Sequence, residues 1–184
     1  CSEMRASLGR EMPVKPLLFP TPRHVEWGQD SVPAEARVDE AREVSLPTQG
    51  FTLRCGAGGV ELRYADAAGP RYAKDCLAQL RAGDGSLPAV FVRDAPDFPV
   101  RAYMLDVSRN RVPTRATLIR MVELLALCRI NQLQLYTEHT FAYRDHESVW
   151  RGASPLTPED VRWLDALCAE SGVELVANQN CFGH

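Results

Sequence analysis

No run in the 184-residue sequence approaches the ~20 apolar residues that a membrane-spanning helix needs. The opening stretch CSEMRASLGREM has no apolar core like that of a signal peptide, so the compartment stays open between cytoplasmic and exported. Cysteine never occurs as Cys-x-x-Cys. Cys1, Cys55, Cys76, Cys128, Cys168 and Cys181 fit neither a zinc site nor a compact disulfide scaffold. Cys128 and Cys168 lie in apolar helical patterns and read as buried free thiols. Lysine and arginine form no stripe, and a net charge of −3 gives no electrostatic reason to expect nucleic acid or an anionic membrane as partner. What is there is ordinary for a globular protein, 45% apolar and 24% charged. A chain of this length suits one large domain or two small ones, and about 70% of its unfolded surface could be buried on folding.

The chain divides near residue 97. After a tail, 1–16, the segment 17–97 reads as a small α+β domain. Val32 to Pro47 is charged and reads as surface or a short strand with loops. "GFTLRC" and "GVELRYA" alternate with period two about Gly56, Gly58 and Gly59. "RYAKDCLAQLRA" puts Tyr72, Cys76, Leu77 and Leu80 on one helical face, and "AVFVRD" is another short strand. "DAPDFPV" then supplies two prolines, a domain junction.

From 98 to 184 the rhythm is β-α-β-α-β. The strands are "VRAYMLDV", "NQLQLYT" and "VELVANQN". The helix after Pro113 has Leu118, Val122 and Leu125 at helical spacing. The second helix opens at Thr157 as cap, with Pro158 at its first position and Asp160 in the acidic place of a capping box. Val161, Leu164 and Cys168 form its inner face, and Gly172 stops it. Such crossovers predict parallel strands with the helices outside. All three strands end in polar clusters: Asp106, Ser108 and Arg109; Thr137, Glu138 and His139; Asn178, Gln179 and Asn180, with His184 beyond. In a parallel α/β barrel that end carries the active site.

These residues also carry a resemblance. "FPVRAYMLDVSRNRVPT" resembles the first barrel strand of family 20 glycoside hydrolases, the β-N-acetylhexosaminidases, with their Arg-(small)-x-x-Leu-Asp-x-(Ser/Ala)-Arg pattern. Asn131 resembles the asparagine opening their second strand, and "YTEHT" stands where they have a His-Leu-(Ser/Thr)-Asp-Asp run. "LTPEDVRWLDALCAESGVELVANQNCFGH" resembles their second helix and third strand, with Phe182 in place of the proline of Pro-Gly-His. The segment before residue 97 resembles their preceding small domain. The resemblance implies an α/β fold: a small α+β domain followed by an incomplete (β/α)8 TIM-type barrel of three strands. It implies an exo-hexosaminidase acting on terminal N-acetylhexosamine without cofactor or metal, by substrate-assisted retaining hydrolysis, an exception to the two-carboxylate scheme.

The acid and the acetamido-orienting carboxylate of that family are an Asp-Glu pair after a fourth strand. The only Asp-Glu dipeptide here is Asp39-Glu40, in the charged stretch of the first domain. The chain alone is therefore expected to be inactive, and a non-catalytic carbohydrate-binding relative or fragment is the alternative. Three residues match family positions. Arg101 would hold sugar hydroxyls through its forked donors, His184 would orient and tune the acid, and Glu138 would partner that histidine.

Around them, Tyr136, Phe141, Tyr143 and Trp150 could stack on a sugar or simply pack. His139 has no companion at metal-ligand spacing. Asp106 and Arg109 read as a mutual structural pair, and His146-Glu147 as solvated loop. The two outer strands of a three-stranded barrel piece carry no lysine or proline to blunt their edges, so self-association is expected.

Overall fold

A computed structural model describes residues 15–109 and 111–182. Its strands and helices build two sheets, each with its own apolar core. The first sheet has the order β1-β5-β3-β4-β2, from β1 (His24–Val32), β2 (Val38–Arg42), β3 (Phe51–Gly56), β4 (Gly59–Tyr64) and β5 (Leu87–Asp94). Neighbours are antiparallel except β2, which runs parallel to β4.

Alternation explains β3 and β4. Phe51, Leu53 and Cys55 point inward with Val60 and Leu62, while Arg54 and Glu61 face water. Helix α1 (Gly69–Leu80) lays Tyr72, Ala73, Cys76, Leu77 and Leu80 on that apolar face. Each leucine so buried stabilises the fold by roughly 1.5–3 kcal/mol. The hairpin closes on Gly59, whose φ of +109° suits glycine, and whose absent Cβ would lie 2.6 Å from the Arg37 carbonyl oxygen.

Strand β1 was not foreseen. It pairs with β5 at the sheet edge, its register shifts between Trp27 and Ser31, and most of its side chains are exposed. An edge strand with one wetted face and a bulge shows little apolar alternation. The charged stretch before Pro47 does hold a strand, β2, at the opposite edge.

The second sheet has the order β6-β7-β8, all parallel, from β6 (Ala102–Asp106), β7 (Gln132–Thr137) and β8 (Glu174–Gln179). Helices α2 (Arg115–Leu127) and α4 (Pro158–Glu170) make the crossovers, and a short α3 (Glu147–Trp150) lies between β7 and α4. Leu118, Val122 and Leu125 of α2 and Leu164 and Cys168 of α4 pack on Leu133 and Leu135 of β7. The capping box of α4 forms as expected: Asp160 N donates to Thr157 Oγ1 at 3.1 Å, and Thr157 N donates to Asp160 Oδ2 at 3.0 Å. Gly172, at φ +70°, follows the C-cap Ser171. The described cysteines are free; Cys168 is buried as expected, whereas Cys128 is only partly so.

Arginine side chains tie the two sheets together. Buried Asp94, at the end of β5, pairs with Arg129, which follows α2. The Arg129 guanidinium lies 5.5 Å from the Phe51 ring centre and 5.3 Å from that of Tyr72. Arg71 of α1 donates to the Glu170 carbonyl at 2.8 Å and covers Gly172. Arg101 reaches Gln49 and Tyr72 from just before β6.

Candidate functional site

Parallel pairing brings the C-terminal ends of β6, β7 and β8 side by side, and a continuous polar network spans them. Glu138, just past β7, is its centre. Its Oε1 accepts from Arg109 Nη2 at 2.8 Å and from the Tyr136 hydroxyl at 2.7 Å. Asn180, beyond β8, donates from Nδ2 to the Tyr136 oxygen at 2.9 Å. The Glu138 backbone is fixed as well: its N–H donates to Ser108 Oγ at 2.8 Å, and its carbonyl accepts from Gln179 Nε2 at 3.3 Å. Ser108 in turn meets Thr140 Oγ1 at 3.0 Å, and both hydroxyls are buried.

The Arg109 guanidinium, then the Tyr136 hydroxyl, hold the Glu138 carboxyl down at about 2, from an ordinary 4.5. Arg109 is raised in return, chiefly by its hydrogen bond to Glu138. Glu138 is thus ionised throughout the physiological range. It can receive hydrogen bonds or balance a cation, but it is a poor proton donor.

Asp106 acts on Arg109 through its charge. Asp106 Oδ1 accepts from the Ser108 N–H at 2.7 Å, forming a turn, while Arg109 reaches across to the next strand end. That link spans 29 residues of sequence, while the Asp106 charge also raises Arg109. On the inner side of the sheet, Asn178 Nδ2 lies 3.4 Å from both Gln134 Oε1 and Met104 Sδ.

The aromatics divide. Tyr136 is in the network, and the Tyr143 hydroxyl bonds Gln179 Oε1. Phe141 packs against the core of the second sheet and edge-on to Tyr143 at 4.9 Å, while Trp150 Nε1 donates to the Tyr143 carbonyl at 2.9 Å, so both serve the loop. His139 is exposed, as are His146 and Glu147. Among the described residues no three His, Cys, Asp or Glu gather as metal ligands. His184 lies outside the described residues.

Arg101 departs from the role implied by the resemblance. It precedes β6, at the N-terminal end of the sheet and away from Glu138. Its Nε donates to the Arg129 carbonyl at 2.7 Å, Nη1 to the Phe98 and Pro99 carbonyls at 2.6 and 3.4 Å, and Nη2 to Gln49 Oε1 and the Tyr72 hydroxyl at 2.9 and 2.7 Å. A guanidinium has five N–H groups, and these bonds to the protein occupy them. Arg101 ties the two sheets together and holds no donor ready for a sugar.

A groove of about 490 Å³ also lies at this N-terminal end, lined by Gln49, Asp66, Tyr72, Asn131 and Glu174 among others, remote from the Glu138 network. Asp39 and Glu40 sit on edge strand β2, paired with Arg63 at 2.6 Å and Lys74 at 3.0 Å, which makes them surface charge. No helix of the described residues is long and apolar enough to cross a membrane.

No family model matches the sequence. A curated relative, a β-hexosaminidase of Akkermansia muciniphila, is 25% identical over 189 aligned positions, covering 91% of this chain and 38% of that protein. The chain therefore spans less than half the length of the curated relative it matches. Among solved structures, a β-N-acetylhexosaminidase from Bacteroides fragilis superposes with a TM-score of 0.76 at 18% identity, covering 88% of this chain and 44% of that one. An exo-β-N-acetylglucosaminidase of family 20 from Vibrio harveyi, bound to N-acetylglucosamine, has a TM-score of 0.76 at 15% identity, covering 89% and 36%. Over most of its length, in sequence and in its α/β fold, the chain resembles the family 20 β-N-acetylhexosaminidases.

Proposed function

We propose that this chain belongs to a glycoside hydrolase of the exo-β-N-acetylhexosaminidase kind, which releases terminal N-acetylhexosamine. In this reading residues 17–97 are a small α+β domain. Residues 98–184 are the first three strands of a (β/α)8 barrel, with two helices outside. The observation that carries the reading is the convergence of three parallel strand ends on one ionised carboxylate, Glu138, at the end where such barrels keep their sites. The likeness to hexosaminidases over 91% of the chain supports it.

The reaction would be substrate-assisted. The acetamido oxygen attacks the anomeric carbon while a carboxylic acid protonates the departing glycosidic oxygen; water then opens the cyclic intermediate with retention. The acid and the group that orients the acetamide are assigned to an Asp-Glu pair downstream of His184. Within the chain, His184 would tune that acid and Glu138 would supply a fixed anion beside it. Arg101, committed to the junction, has no place in this scheme.

The test is hydrolysis of a chromogenic N-acetyl-β-glucosaminide by the full-length protein and by residues 1–184 alone. The full-length protein should turn over the substrate. The isolated residues should not, since loss of general acid catalysis alone costs on the order of 10²–10⁴ in rate. Equal turnover by the two would mean that the catalytic residues lie elsewhere. Specific sugar binding without turnover by the full-length protein would favour the non-catalytic alternative.

A further inference from the structure

We propose that Asn178 is a sugar-binding residue, held by a ladder of amide side chains so that its Oδ1 accepts a substrate hydroxyl, a role that rests on the hydrolase reading above. Leu133 and Leu135 of β7 and Leu175 of β8 pack with the helices. The alternate residues therefore face the other side of the sheet, which becomes the barrel lumen in that reading. Register sets Glu174 beside Gln132 at the N-terminal end of this face and Asn178 beside Tyr136 at the C-terminal end, with Gln134 between. Barrel interiors are mostly filled by bulky branched side chains. Here polar side chains link each layer to the next. Gln132 Nε2 donates to Glu174 Oε2 at 3.0 Å, Gln134 Nε2 to Gln132 Oε1 at 2.9 Å, and Asn178 Nδ2 to Gln134 Oε1 at 3.4 Å.

The ladder has one direction, and its lower end sets it. A carboxylate only accepts, so Gln132 turns Nε2 to Glu174 and leaves Oε1 for Gln134, and the same choice repeats at Gln134. Asn178 is thereby held with Nδ2 towards Gln134. The same Nδ2 lies 3.4 Å from Met104 Sδ, a weak acceptor that takes its second N–H. Both donors of the amide are used, and Asn178 Oδ1 has no partner among the described residues.

Asn178 thus offers one acceptor and no donor, set before any ligand arrives. Such a group takes a hydroxyl and turns away a ligand oxygen that only accepts. Its place favours a sugar: Tyr136, its partner across the sheet, carries its hydroxyl to Asn180 at the strand ends. Glu174 is exposed and borders the groove at the opposite end. It lies four residues before Asn178 on β8, about 13 Å at the rise of a parallel strand. Gln134, Gln132 and Glu174 are positioning residues, which act on the sugar through Asn178.

The experiment compares the full-length protein with its Asn178→Ala, Gln134→Met and Glu174→Gln variants, and with each of the last two combined with Asn178→Ala, on a chromogenic N-acetyl-β-glucosaminide. Each is checked for folding by circular dichroism. Asn178→Ala should lower kcat/KM about tenfold, the size of one hydrogen bond. The loss should fall on KM, because a preset acceptor meets the sugar before reaction, and binding of N-acetylglucosamine by calorimetry should weaken by the same factor. Gln134→Met breaks the ladder, and Glu174→Gln frees its direction; each should lose part of that factor. In the Asn178→Ala background neither should lower kcat/KM further, since residues acting through one group do not add. Glu174→Gln, isosteric and exposed, carries the test if Gln134→Met does not fold. Wild-type kcat/KM in Asn178→Ala, or losses that multiply in the double variants, would overturn the inference and leave the hydrolase reading standing. A wild-type protein that hydrolyses no N-acetylhexosaminide would overturn that reading, and this inference with it.

Discussion

Replacing Arg129 by Met should destabilise the protein more than any surface ion-pair change. The side chains of Arg129 and Asp94 are only 11% and 7% exposed, so water does not screen them. Asp94 Oδ1 keeps its bonds from the backbone N–H groups of Arg23 at 3.2 Å and Ala95 at 2.9 Å, but Oδ2 loses its cation. Removing one partner of a buried pair costs about 3–5 kcal/mol. Arg129 Nε is buried without a hydrogen-bond partner, a cost that the wild type already bears, which argues for the lower end, about 3 kcal/mol. Arg129 also sits at φ +56°, a left-handed position that favours glycine; Met keeps that backbone cost and isolates the charge. Urea unfolding is the assay, with the midpoint falling and the slope unchanged. Adding Asp94→Asn to Arg129→Met should recover about 1 kcal/mol or more, because no buried charge is then unpaired. A loss below ~1 kcal/mol in the single variant, the value for exposed pairs, would refute the view that this pair fastens the two sheets.

Other outcomes follow from the same structure. Thr157→Ala removes the α4 capping box and should cost about 1 kcal/mol in thermal or urea unfolding. Glu138 and Asp160 are both held at about 2, Glu138 first by Arg109 and Asp160 first by the Thr157 backbone. The unfolded chain therefore takes up protons before the folded one, and stability should fall as pH drops from about 5 towards 2 and be insensitive to these groups well above that; a flat profile across that window would contradict both contacts. Burial pushes the thiols of Cys55 and Cys168 up to about 11 and that of Cys76 to about 12, so alkylation of the folded protein at neutral pH should favour exposed Cys181 over these three. Strands β6 and β8 are both sheet edges, and Tyr103 and Met104 on β6 are 44% and 55% exposed. Residues 1–184 alone should self-associate in light scattering; a monodisperse monomer with a cooperative melt would count against the half-barrel.

Periodicity exposed the second half of the chain well. Leu133 and Leu135 fall on one face of β7, Leu118, Val122 and Leu125 on one face of α2, and Thr157-Pro158-Glu159-Asp160 marks the start of α4. These are local signals, written in neighbouring residues. Strand β1 was hidden because it is an exposed, bulged edge with only Val32 fully buried. The side-chain partners were hidden for another reason: they are non-local. Arg101 reaches Gln49, 52 residues away, and Arg109 reaches Glu138 across a whole β-α-β unit. Position along a strand told that Glu138 lies at the C-terminal end and Arg101 at the start. It could not tell that the junction would take up every donor of Arg101.

The central claim is tested most directly by changing the nucleophile proposed to come from the substrate. The full-length protein should be assayed on 4-nitrophenyl 2-acetamido-2-deoxy-β-glucoside and on its mono-, di- and trifluoroacetamido analogues, with kcat/KM measured for each. Fluorine withdraws electron density from the amide oxygen without altering the rest of the sugar. If that oxygen attacks the anomeric carbon, kcat/KM should fall steeply and in order along the series. Equal values across the series would show that the acetamide is only a binding group, and would contradict the account.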